Sequence, residues 1–86
     1  MCRTNYKVKL DSGNVVSMST IPALNMPNAY FVEINKIHVG AVYANSTPMK
    51  VYADGQYLGT GDTIVECLRL LGELASTSGI LTATLN

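Results

Sequence analysis

The sequence predicts an α+β domain. It should hold a mainly antiparallel sheet of five to seven short strands, one amphipathic helix at about 63–76 packed on one face, and a C-terminal strand. Three observations lead there. Short segments alternate apolar and polar residues with the period of two that marks a strand buried on one side. Turn-forming residues, above all Asp54-Gly55, separate those segments. A single stretch near the C-terminus instead repeats its apolar residues every three and four positions. With 86 residues, the chain has room for one core and reads as a single compact domain, 1–86, and as a complete small open reading frame.

The first strand is marked by Tyr6, Val8 and Leu10 on one side and Lys7 and Lys9 on the other. Asp11, Ser12, Gly13 and Asn14 supply a turn, and Val15 to Met18 returns as a second strand. From Ser19 to Asn28 the alternation fails: Pro22 and Pro27 should break any ladder, leaving Ile21, Leu24 and Met26 as isolated apolar residues in a loop. Such a loop either folds its apolar side chains over the core or displays them to a partner, which makes it the leading interaction loop of the chain.

Tyr30 to Tyr43 is the longest β-prone stretch, with Tyr30, Val32 and Ile34 in one phase and Ile37, Val39, Ala41 and Tyr43 in the other. The switch of phase calls for a two-residue hairpin at Asn35-Lys36, or for a bulge, with the hairpin favoured. Ala44 to Pro48 is a turn, and Met49 to Ala53 a further strand. Asp54-Gly55 fits a type I′ turn into Gln56-Tyr57-Leu58, after which Gly59 and Gly61 let the chain swing towards the helix. Thr63 and Glu66 form a capping box, and Ile64, Cys67, Leu68, Leu71, Leu74 and Ala75 make the apolar stripe of a helix ending near Ser76. Val65 and Leu70 lie outside that stripe. Gly79 can cap the helix, and Ile80 to Leu85 alternates again as a closing strand.

Composition narrows the function classes. Six basic and six acidic residues give a net charge of +0, and charged residues make up only 14% of the chain, where about a quarter is usual. Ser, Thr and Asn, 21 in all, finish much of the surface instead. The basic residues are scattered, so nucleic acid is not expected as an obligate partner. No apolar run reaches the ~18 residues of a membrane span, and no signal-peptide core is present, so a cytoplasmic protein is expected. Two cysteines make no disulfide framework, and Cys67 falls on the apolar face of the helix, where a thiol behaves as a small hydrophobe.

Few residues carry chemistry. His38, the one histidine, takes the face opposite Ile37, Val39 and Ala41 and approaches Glu33 only if the Asn35 hairpin forms. It has no nucleophile at a recognisable spacing, and catalysis is not expected. No metal-ligand spacing and no cofactor motif occurs. Gly59, Thr60, Gly61 and Thr63 precede a helix N-terminus and form a candidate anion site, although no P-loop lysine follows and Asp62 puts a negative charge there. Five tyrosines fall on strands, where they could stack on bases but suit a sheet face that is half core and half protein interface.

The resulting expectation is a small non-enzymatic protein that binds a partner protein's surface through Leu24, Met26, Tyr30 and Tyr43. In general type it resembles the small accessory proteins of phages and mobile elements, including inhibitors of host enzymes or defence complexes. A single helix covers only part of so wide a sheet, so a homodimer is also expected. Two alternatives remain: a small-ligand or nucleotide-binding module using the Gly59–Thr63 segment, and a virion or scaffold component.

Overall fold

A computed structural model describes residues 3–78. Among them the chain forms β1 (Thr4–Lys9), β2 (Val15–Pro22), β3 (Ala29–Ile34), β4 (Ile37–Tyr43), β5 (Met49–Ala53), β6 (Gln56–Gly61) and α1 (Ile64–Ser78). The strands make one antiparallel sheet in chain order, β1-β2-β3-β4-β5-β6, and α1 packs against it. The α+β architecture expected from the sequence is therefore the observed one. The expected strand at Ile80 to Leu85 lies outside the described residues.

Two hairpins shape the sheet by the same means. Asn35 and Lys36 adopt φ of 52° and 69°, and Asp54 and Gly55 adopt 52° and 80°, the positive pair that a two-residue type I′ turn requires. Each return strand then carries an extra residue, because the register shifts between Val32 and Glu33 and again between Val51 and Tyr52. The unmatched residues are Val39 and Leu58, each three positions beyond its turn. The sequence offered a hairpin or a bulge at the phase switch, and the protein uses both. Bulges increase local twist and bend the strand that carries them.

That bending matters for the helix. Six flat strands would separate β1 from β6 by about 24 Å, more than twice the width of a helix. Yet α1 touches β4, β5 and β6 and also β1, so the sheet curls around it. Val8, Val16, Met18, Val32, Ile34, Val42 and Val51 face inwards and meet Cys67, Leu68, Leu71 and Ala75, all buried. Gly40 permits the close approach: a Cβ there would collide with the Tyr52 carbonyl oxygen and with Leu71 Cδ2. At the other edge, the Asp11 amide donates to Glu73 Oε2 at 3.0 Å, tying the end of the first strand to the helix.

Four expectations change. β2 does not stop at Met18; it continues to Pro22 and pairs with β3 as far as Tyr30. Pro22 is tolerated because the Ala23 amide donates to the Ala29 carbonyl, and the alternation of an antiparallel ladder then points the Pro22 nitrogen away from β3, beyond Thr4 where β1 begins. In β4, Ile37 and Val39 keep the inner phase, but Ala41 and Tyr43 face outwards, because the bulge at Val39 hands the inner face to Gly40 and Val42. Gly59 to Gly61 belongs to β6 and does not form a loop. On α1, Leu74 of the expected stripe is 40% exposed at its margin and Val65 is exposed, while Leu70 packs against the core from the flank of the stripe as expected.

Candidate functional site: the outer face of the sheet

With the helix held on the concave side, the convex side of the sheet has no covering element among the described residues. Strand register assembles it. Ile21 pairs with Phe31, Phe31 with Ala41, Ala41 with Tyr52 and Tyr52 with Tyr57, so these residues form one row across five strands. Glu33 and His38 form the next row on one side, and Tyr43, Lys50 and Thr60 the row on the other. The aromatic rings interact edge to face: Phe31 with His38 at 5.8 Å, Tyr43 with Tyr52 at 5.2 Å, and Tyr52 with Tyr57 at 5.6 Å between centroids. Phe31 and Tyr57 are exposed, while Tyr43 and Tyr52 are half-buried by their neighbours.

Between these rings lies an open concavity of about 570 Å³. Gly40 and Ala41 form its floor, because β4 contributes no larger side chain to that part of the row. Phe31 and Tyr52 stand on the strands to either side. Asn45, Tyr43 and Lys50 line one end, and His38, Asp54 and Gly55 the other.

A second, more apolar depression of about 370 Å³ adjoins it, lined by residues 21–26 and Phe31. Its wall is the loop between β2 and β3. The Ala29 amide donates to the Met26 carbonyl across Pro27 and Asn28, with Asn28 at φ 64°, the arrangement of a type II turn with Pro at its second position. Bonds from Ala23 to Ala29 and from Ala44 to Asn28 fix the base of the loop. So anchored, it turns Leu24 into solvent at 79% exposure and Met26 at 46%.

The interface residues expected from the sequence thus divide. Leu24 and Met26 border the outer face through Phe31, and Tyr43 lies on it. Tyr30 does not join them: it pairs with Val42 on the inner side and lines a separate depression with Tyr6, Met49 and Ile64. Phe31, Tyr52 and Tyr57 belong to the outer face and were missed as a group. Their common row depends on the shifts at Val39 and Leu58, which leave no mark in the residue types.

The candidate anion site is filled by the protein's own groups. The Glu66 amide donates to Thr63 Oγ1 at 3.2 Å, and Glu66 Oε2 accepts at 3.0 Å from the amide of Asp62, one residue before the cap. Thr60 is exposed on β6, and Gly61 serves packing, since a Cβ there would lie 2.9 Å from Cys67 Sγ. Gly59 is likewise a strand residue. The Cys67 thiol is pushed above its ordinary value of 9.0, first by burial and then by the negative charges of Glu66 and Asp62, with its own backbone hydrogen bond acting in the opposite direction. Buried and held protonated, it is a core side chain.

His38 faces Glu33 across the β3–β4 hairpin, but the Glu33 carboxylate is taken by Arg3 at 2.7 Å. Among the described residues no three His, Cys, Asp or Glu side chains gather as a metal would need, and no helix is long and apolar enough to cross a membrane. No protein-family model, no curated protein and no solved structure matches the chain.

Proposed function

We propose that this chain is a small non-enzymatic interaction protein that works by docking on a partner protein through the β2–β3 loop and the adjoining part of the outer face. The observation that carries the reading is the display of Leu24 and Met26 on a loop anchored by backbone hydrogen bonds, beside the exposed ring of Phe31. A side chain the size of Leu left 79% exposed forgoes about 1.5 to 3 kcal/mol of burial, which a partner can recover. Because the loop is already ordered, little of that gain is lost to fixing it on binding. Tyr43, Tyr52 and Tyr57, with polar residues around them, have the make-up of an interface core with its rim.

An accessory protein or inhibitor of a host enzyme or defence complex, at work in a host cytoplasm, fits this mode of action, since blocking a surface needs no catalytic groups. The same bare face supports self-association as a homodimer. The test is Leu24→Asp combined with Met26→Asp, two exposed positions where folding should be unaffected. Partners recovered with the native protein by affinity capture should be lost with the double variant at unchanged thermal stability. Retention of every partner would remove the loop from the interface.

A further inference from the structure

The concavity on the outer face has the dimensions and chemistry of a slot for a flat ring. Phe31 and Tyr52 stand two strands apart, about 9.6 Å at the usual strand spacing, with Ala41 alone between them in the row. The concavity between them, about 570 Å³, falls within the roughly 300–1,000 Å³ usual for small-ligand pockets. Strand side chains stand roughly perpendicular to the sheet, so both walls project on the side from which such a ring would enter. The slot's ends differ in charge, with Lys50 and Asn45 at one and Asp54 at the other.

Its surroundings favour an anion. Of the twelve charged residues, Arg3, Lys7, Lys9 and Lys50 lie on the outer side against Glu33 and against Asp54 at the end of the slot, a net of two positive charges. Asp11, Asp62, Glu66 and Glu73 lie at the helix and the turn bonded to it, against Arg69. Lys36 lies in the turn between β3 and β4. A net charge of +0 therefore hides two faces of opposite sign.

We infer that the slot binds a nucleobase carrying a 5′-phosphate, either as a free nucleotide or as one unit of a single strand. The base enters between Phe31 and Tyr52 over Ala41, the Lys50 ammonium meets the phosphate, and the Asp54 carboxylate accepts from a ring N–H. This site is separate from the helix N-terminus at Thr63 and does not rest on the protein-docking reading.

The probes are thymidine 5′-monophosphate and a fluorescein-labelled oligothymidylate of about twelve nucleotides, with binding followed by anisotropy and competition. The oligonucleotide should bind, and Tyr52→Ala should weaken it about tenfold or more. Ala41→Leu, which fills the slot without removing a ring, should do the same. Lys50→Gln, at an exposed position, should weaken binding and reduce the salt slope by about 0.7. Leu24→Ser with Met26→Ser, which removes the apolar side chains of the loop without adding charge beside Phe31, should leave the affinity unchanged, so that failure of one reading is distinguishable from failure of the other. Competition by the mononucleotide shows that one unit suffices; binding of the oligonucleotide alone identifies a strand as the source, and binding of the mononucleotide alone a free nucleotide. Absence of binding by both probes overturns the inference. So does an affinity that a folded Ala41→Leu variant retains in full, whether or not Tyr52→Ala folds.

Discussion

Cys67 shows how much a single residue can reveal. Its side chain is fully buried on α1 and its thiol is shifted upward by burial and by Glu66. The thiolate therefore forms more readily in the unfolded chain, which above the ordinary value of 9.0 binds fewer protons than the folded one. The stability linked to this group is complete below that value and is lost as pH rises beyond it. Denaturant unfolding between pH 7 and 10 should accordingly show the stability advantage of the native protein over Cys67→Ala shrinking above about pH 9. A gap independent of pH would mean that the thiol is equally acidic in both states. The buried place of Cys67 was legible because the 3.6-residue period sorts a helix without reference to anything distant. The outward turn of Ala41 and Tyr43 was not, because it depends on Val39, whose type is as common in regular strand as in a bulge.

Elements followed the same division between local and remote causes. Asp54-Gly55 is a turn for reasons contained in two residues, and Asn35-Lys36 because the apolar phase switches between Ile34 and Ile37; both occur where expected, as does the β5 strand. The fate of Pro22 depends on a neighbour: its missing amide is harmless only because β1 begins at Thr4 and leaves that side of β2 without a described partner strand. Gly59 to Gly61 looked like a flexible approach to the helix, but the tight packing of Gly61 against Cys67 places it in β6. The Thr63 cap was legible, and Glu66 reaches back as expected but to the amide of Asp62, one residue before the cap. It also yields a measurable quantity: with Thr63→Ala, the Glu66 amide loses its acceptor, and unfolding should become easier by about 1 kcal/mol. An unchanged denaturation midpoint would show that water replaces the hydroxyl without loss.

At the scale of the whole molecule, the low charge count turns out to matter less than its arrangement. Alternation alone put Lys7 and Lys9 on one face, but whether a lysine shares a face with a tyrosine is decided by register across five strands. The separation constrains how copies of the chain can meet. A homodimer formed by opposing the two outer faces brings together two surfaces that each carry two net positive charges, so its aromatic contacts must overcome repulsion. Screening changes the balance, since the Debye length falls from about 30 Å at 0.01 M salt to about 3 Å at 1 M. Sedimentation or light scattering should therefore find single chains at low ionic strength and a growing dimer fraction as salt is added. A dimer that dissociates with salt would instead indicate that the basic face of one copy meets the acidic helix side of another. Single chains under all conditions would reject the homodimer and leave the outer face free for a different partner.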